Sequence, residues 1–347
     1  MDSRLPVTVH PLEADGHQAW DEFVTRCSEA TFFHLSGWKR VIEAAFGHKT
    51  YYLQAKTGGR ITGVLPLTHV KSPLFGNSII SNGFGVYGGP AAEDHASRTA
   101  LEREAVGIAE RVGADSVEFR TTVRTHEDWP CKDQLYVTFR KSLLPSPDEN
   151  MKAIPRKQRA MVRKGIQNGL RSEIDEDVNR LHRVYSESVR NLGTPVFSKA
   201  YFRELKREFG SACDIVTVLN DNHPVAAVLN FYFRDEVLPY YGGGTAAARS
   251  LAANDFMYWE VMRRACERGY RLYDFGRSKV GTGAYAFKKN WGFEATPLSY
   301  QFWLAPGKKM PDVNPLNPKY RLMITAWKRL PLGIANIIGP RLSRDLA

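Results

Sequence analysis

The sequence is poor in the residues that staple a protein covalently or through metal. Only four cysteines occur in 347 residues (Cys27, Cys131, Cys213 and Cys266), and no two form a C-x-x-C pair. A disulfide framework or a zinc site therefore has no basis. The nine histidines are scattered and none lies beyond His223, so no metal is expected. No run approaches the roughly 20 apolar residues of a membrane-spanning helix, and the opening residues lack an apolar leader core. These absences predict a soluble, cytoplasmic chain. Apolar residues are present in ordinary measure, 43% of the chain, which excludes disorder. At about 150 residues per domain the length suggests two domains.

Acidic residues are missing from one stretch in particular. Residues 151–171 hold seven cations and no anion, and residues 308–347 hold eight cations against Asp312 and Asp345. The rest of the chain carries 33 cations and 35 anions, so the net charge of +11 resides in two basic patches on a nearly neutral body. Such patches are either solvated helix faces or places that capture phosphate, nucleic acid or a lipid surface. In the first patch Arg156, Arg159, Arg163 and Lys164 recur at helical spacing, suited to a diphosphate. Lys39 and Arg120 are candidates to extend such a site. The second patch sets Met323, Ala326, Trp327, Leu330, Ile334, Ile337 and Ile338 beside cations. This stripe suits docking on the core or on an anionic bilayer. No aromatic RNA-binding motif accompanies the basic helix, which argues against nucleic acid as the main partner.

One order of elements recurs in both halves. In the first, Gly58-Gly59 turns into an apolar strand at 61–70, and a second apolar stretch follows at 78–89. A helical run at 97–113 and a short strand at 116–120 complete the set. In the second half, Asp221-Asn222 turns into strand 225–233, followed by 236–244, a helix at 255–269 and a strand at 271–277. Tyr87-Gly88-Gly89 matches Tyr241-Gly242-Gly243, and Glu118-Phe119-Arg120 resembles Asp274-Phe275-Gly276-Arg277. Helices are expected before each strand set, at 19–27 and 36–46, then at 175–191 and 199–209. This is a tandem duplication. The order suits an α+β acyltransferase-like unit, in which a strand–loop–helix holds a carrier phosphate on backbone amides.

The glycines that such a loop needs are also lacking. Acetyl-CoA enzymes of this topology place R-x-x-G-x-G/A there, whereas this chain has Arg249-Ser-Leu-Ala252-Ala-Asn254, with Ala and Asn at the glycine positions. Arg249 and Asn254 are the candidate cofactor-binding residues. In the first half, Glu93 and Asp94 occupy the loop and would repel a pyrophosphate.

The segment 273–293 (YDFGRSKVGTGAYAFKKNWGF) resembles the C-terminal signature of the FemAB family. The helix at 154–170 and the Leu65-Pro-Leu, Leu74-Phe-Gly and Tyr87-Gly-Gly-Pro90 motifs are similar to theirs as well. The resemblance spans about residues 10–305. It implies twin GNAT-like domains with a C-terminal helical tail, divided at 1–148, 149–306 and 307–347. The implied activity is transfer of an acyl or aminoacyl group to an amine, as FemAB enzymes do on peptidoglycan precursors. The ending from Asn317 to Pro340 further resembles a subgroup tied to exopolysaccharide and PEP-CTERM/exosortase systems. The long paired helical arm of tRNA-using relatives has no counterpart, so the donor is aminoacyl-tRNA or acyl-CoA.

Acyl transfer to an amine needs a place for the proton and positive charge near the developing oxyanion. By the resemblance, Phe287-Lys288 matches the pair tied to stabilising the tetrahedral species, and Lys288 is the candidate charge. Asp274 is a candidate to take a proton or to orient Arg277, and Tyr241 to hold the acceptor. Arg156, Arg159, Arg163, Arg277 and Lys39 are expected on the substrate. The expected acceptor is a phosphate-bearing glycan or lipid-linked cell-envelope precursor, reached with peripheral contact on the cytoplasmic membrane face. Rival readings are a CoA-dependent N- or O-acetyltransferase acting on a sugar, and an inactive binding module recruited to the membrane.

Overall fold

The computed structural model describes residues 5–311 and 318–346, with residues 318–321 as backbone only. Asn317 of the tail motif lies outside the described residues. The chain divides into two compact units.

The first unit comprises Met1–Gln134, Leu298–Val313 and Arg344–Ala347. Its sheet runs Val7–Pro11, Lys49–Thr57, Arg60–Ser72, Gly76–Ser81, Ser116–Thr121, Ser299–Leu304 and Cys131–Lys132 in spatial order. Only Gly76–Ser81 and Ser116–Thr121 run parallel among these neighbours. The turn into Arg60–Ser72 uses Gly58 and Gly59 at φ +58° and +81°, which closes a tight hairpin. Helix His95–Val112 begins where the Asp94 carboxylate accepts from Ser97 N (2.8 Å) and ends on left-handed Gly113.

The second unit comprises Leu135–Pro297 and Asn314–Ser343. Its sheet order is Ser278–Lys279, Tyr136–Ser142, Leu272–Asp274, Glu236–Gly244, His223–Phe233, Cys213–Asn220 and Arg171–Ile174. Here Glu236–Gly244 and Leu272–Asp274 are the parallel pair. The hairpin turn is again two residues at positive φ, Asp221 at +47° and Asn222 at +66°. Side chains alternate across the sheet. A Cβ on Gly242 would meet Tyr258 of helix Ala253–Glu267, and one on Gly243 would meet Ser188 of helix Asn179–Leu192. The two helices thus cover opposite faces.

The two units repeat one α+β plan, as the duplication predicts, but their limits differ from those expected at 148 and 306. Strand Tyr136–Ser142 belongs to the second unit, where it pairs with Leu272–Asp274. Strand Ser299–Leu304 returns to the first, pairing with Ser116–Thr121. Each half of the sequence gives its last strand to the other half's sheet. Local periodicity carries no record of such long-range pairing.

Two sequence expectations shorten. The apolar stretch 78–89 is strand only to Ser81, because Asn82 and Phe84 take positive φ (+30° and +68°) and turn the chain. Strand 271–277 reduces to Leu272–Asp274, ending before Gly276 at φ +65°. No described helix is long and apolar enough to cross a membrane.

Candidate active site

In the second unit the parallel pairing of Glu236–Gly244 with Leu272–Asp274 lasts two residues, Glu236↔Leu272 and Val237↔Tyr273. Beyond it the strand of Glu236 continues to Gly244, whereas the other breaks into the Phe275–Arg277 turn. Aromatic rings fill the divergence. Tyr258 lies 4.9 Å from Phe275 and 5.6 Å from Phe287, and Phe287 lies 6.2 Å from Trp291.

Lys288 reaches this point from helix Gly283–Asn290. Its Nζ donates to the carbonyl oxygens of Phe275 (2.6 Å), Gly276 (3.0 Å) and Arg277 (3.2 Å). The rings of Phe139 and Phe275 lie 5.8 and 5.9 Å from it. Burial pulls its pKa down to about 8, opposed by the charge of Asp274 and reinforced by that of Arg277. The ammonium that the sequence assigns to an oxyanion thus has its three protons matched by three main-chain carbonyls. An acyl oxygen would have to displace one of them.

Asp274 is fully buried. Its Oδ1 accepts from Gly276 N (2.6 Å) and Thr138 Oγ1 (3.1 Å), and its Oδ2 lies 3.5 Å from Arg140 Nε. The same arginine donates to Glu236 Oε2 (2.6 Å). Burial and the neighbouring Asp274 charge raise the Glu236 pKa to about 8, against the pull of Arg140. The guanidinium of Arg277 lies over the Tyr136 ring at 4.7 Å. Asp274 and Lys288 therefore grip one turn from opposite ends. Glu236, Arg140 and Thr138 escaped the sequence reading, because nothing local marks them and only the sheet register brings them to Asp274.

Other candidates are placed differently. Tyr241 is buried, with its hydroxyl 2.8 Å from that of Tyr201, inside a cluster with Tyr185, Phe197 and Phe202. Burial drives its pKa well up. In the structure its ring and hydroxyl are both engaged by these neighbours. The adjacent glycines are likewise consumed by packing: a Cβ on Gly243 would lie 2.5 Å from Ser188 Cβ, and one on Gly244 2.5 Å from Ala248 Cβ. Lys39 belongs to the first unit, where it donates to Glu43 Oε1 (2.5 Å) and Thr50 Oγ1 (3.0 Å).

The basic helix forms as Arg156–Gln167 and buries Gln158, Val162 and Gly165. Gly165 packs on Phe256, where a Cβ would come to 2.8 Å. Burying that stripe leaves Arg156, Lys157, Arg163 and Lys164 exposed, and among the described residues none of these four has an acidic partner. Arg159, half-buried, donates to Lys152 O (2.9 Å).

Helix Ala253–Glu267 starts on Ala252 at φ +56°. Asn254 Oδ1 is buried there without a partner among the described residues, and Arg249 is exposed on the short helix Ala248–Leu251. The first turn already holds an anion. Asp255 is buried against Gln158, and burial raises its pKa to about 6. In the first unit Asp94 caps the corresponding helix and Glu93 pairs with Arg60 (2.6 Å). Both helix starts carry carboxylates where a carrier pyrophosphate would bring more negative charge.

The first unit has a cleft of about 330 Å³ by Tyr87–Pro90, Thr121 and Arg120. His34 Nε2 lies 2.8 Å from Gly89 O on its wall. Arg120 is buried, bonded to Glu118 Oε1 (2.8 Å) and Gly85 O (2.8 Å), and Arg98 is held by Glu29 (2.5 Å). The cleft's guanidinium charges are met from within.

Residues 155–289 match the acetyltransferase (GNAT) domain family. No curated protein matches the chain in sequence. Among solved structures, FemX is similar at a TM-score of 0.65 and 14% identity, covering 91% of this chain and 100% of that one. The C-terminal DUF2156 domain of a protein described as a lysylphosphatidylglycerol synthetase from Agrobacterium fabrum follows at 0.55 and 13%, covering 83% and 92%. A tandem GNAT protein from the clavulanic acid biosynthesis pathway gives 0.51 and 13%, covering 86% and 98%. The chain thus has the fold of two GNAT-type units in tandem, and its residues 155–289 match the acetyltransferase (GNAT) domain in sequence.

Proposed function

We propose that this protein is an acyltransferase, which moves an acyl or aminoacyl group from a carrier to an amine on a phosphate-bearing cell-envelope precursor. The observation that carries the reading is the Lys288 ammonium, desolvated at the point where the two parallel strands part. In the reaction the amine nitrogen attacks the acyl carbonyl carbon and a C–N bond forms. The carrier's C–O or C–S bond breaks, the carrier leaves with the electron pair, and the proton that the nitrogen loses ends on the departing oxygen or sulfur. Charge grows on the carbonyl oxygen in between, and a cation in a dry site stabilises it far better than one in water. Lys288 is the group we assign to that charge. Asp274 is the group that fixes the turn it grips.

The four exposed cations of the basic helix support an acceptor that carries phosphate. The lysylphosphatidylglycerol synthetase domain, similar in fold, is named for a phosphate-bearing lipid, which is in keeping with such an acceptor. An exopolysaccharide precursor is the narrower form of the proposal. The acetyltransferase family match favours a second donor, acyl-CoA, for which Arg249 and Asn254 are the nearest groups.

The test offers the full chain radiolabelled acetyl-CoA or aminoacyl-tRNA with an amino-sugar nucleotide or a phosphatidylglycerol acceptor. Labelled acceptor is expected from one donor, lost with Lys288→Met and weakened about tenfold in KM by Arg156→Ala with Arg163→Ala. A folded chain that labels no acceptor from either donor, or a Lys288→Met variant of full activity, overturns the reading.

A further inference from the structure

The C-terminal helices turn the usual order of burial inside out. Helices Pro318–Arg329 and Leu332–Ser343 pack on helix Asn179–Leu192 through small residues and one tryptophan. Ala335, Gly339 and Ser343, four residues apart, form the buried stripe of the second helix. A Cβ on Gly339 would lie 3.0 Å from Val196, whose carbonyl accepts from Ser343 Oγ (3.0 Å). In the first helix Trp327 is buried, and a Cβ on Gly193 would meet Ile324 at 2.5 Å.

The large apolar side chains point the other way. Ile334, Ile337 and Ile338 are 44%, 68% and 39% exposed, and with Arg341 they hold positions i, i+3, i+4 and i+7 of one helix face. Leu322 and Met323 are 82% and 53% exposed, and exposed Lys328 and Arg329 end the same helix. Five of the fourteen exposed large hydrophobic residues among those described fall between 322 and 338. Residues 318–343 contain five cations and no Asp or Glu, and the next cation, Arg344, pairs with Asp345 (3.3 Å). Leu192, 68% exposed, ends the helix on which they pack.

An apolar face this size on one small-faced helix pair is left uncovered by the protein's own core, and the same two helices carry exposed Lys328, Arg329 and Arg341, none with an acidic partner among the described residues. That combination matches the interfacial zone of an anionic bilayer, where apolar side chains enter the acyl boundary and lysine and arginine meet lipid phosphate. We propose that the helix pair 318–343 seats the protein on an anionic membrane surface. The inference rests on these faces alone and is independent of the transferase reading.

The test uses the full chain and flotation with vesicles of phosphatidylglycerol and phosphatidylcholine in equal parts, against phosphatidylcholine alone. Binding to the anionic vesicles is expected to be at least about tenfold tighter and to fall with added salt. Ile337→Glu with Ile338→Glu should abolish it while thermal unfolding stays unchanged, and Arg341→Gln should weaken it without touching the apolar stripe. Failure to float, equal binding to neutral vesicles, or indifference to both variants overturns the proposal. So does a concentration-dependent dimer lost in Ile337→Glu, which would give the face to a second copy of the chain. No transfer assay enters the readout, so a failure of the proposed chemistry would leave this result intact.

Discussion

The ammonium of Lys288 stands 2.6 Å from the carbonyl oxygen of Phe275, thirteen residues earlier in the chain. With Asp274 holding Gly276 N at 2.6 Å, it locks a turn that leaves the sheet at its point of divergence. A half-buried cation held by neutral carbonyls loses hydration, and that loss pulls its pKa down to about 8.

Lys288 therefore gives a pH signature with two parts. Transfer should decline as pH rises through about 8, because only the protonated form grips three carbonyls and faces an oxyanion. Stability should move the opposite way. The folded state releases the proton near 8 and the unfolded chain only near 10.5, so between them the unfolded state binds more protons and stability increases with pH. Rate profiles and urea midpoints between pH 7 and 10 check both, and Lys288→Met should flatten both limbs while lowering kcat about a hundredfold.

Glu236 carries the reverse sign. Its folded pKa of about 8 lies above the ordinary 4.5, so the folded state holds the extra proton and its contribution is lost as pH rises through about 8. Glu236→Gln should keep the hydrogen-bonding shape without the second charge beside Asp274. We expect it to be more stable than the parent at pH 8.5 by on the order of 1–3 kcal/mol, with little difference at pH 5. Chemical denaturation at the two pH values measures this, and equal shifts at both would refute the raised Glu236 pKa.

Gly243→Ala tests whether the glycine run serves packing or ligand approach. The new Cβ would sit 2.5 Å from Ser188 Cβ, so helix Asn179–Leu192 must move, at about 1–3 kcal/mol. Pairing it with Ser188→Gly should restore most of the loss in a double-mutant cycle. If Gly243→Ala left stability unchanged and raised only KM, the glycine would belong to the substrate.

The exchange of last strands predicts how the chain tolerates division. Cutting at 148/149 strands Tyr136–Ser142 on one fragment and its partner Leu272–Asp274 on the other, and it separates Ser299–Leu304 from Ser116–Thr121. Each fragment alone should show no cooperative thermal transition, and co-expression should restore it. A cooperative transition in either isolated fragment would count against the exchange.

Much of the architecture was legible without coordinates. Paired turn residues at Gly58-Gly59 and Asp221-Asn222 fixed two hairpins, and the helices expected at 97–113 and 199–209 lie within about two residues of His95–Val112 and Lys199–Phe209. Those signals act over a few neighbouring residues, so a chain read in order retains them. Repetition of their order then revealed two α+β units.

The site was legible only in part, for a reason of range. Lys288 and Asp274 stand out in a motif, but their partners Phe275 O, Thr138 and Arg140 are chosen by helix placement and sheet register. Tyr241 reads as a ligand group beside three glycines until Tyr201, forty residues away, claims its hydroxyl. Sequence alone determined which segments are strands and helices, that they repeat, and where cations lack acids, because each follows from local chemistry. Tertiary structure decided which strand closes which sheet, which polar atoms are already satisfied, and which side of the C-terminal helices faces outward. Those outcomes depend on burial and on pairing between segments distant in sequence, where no local preference reaches.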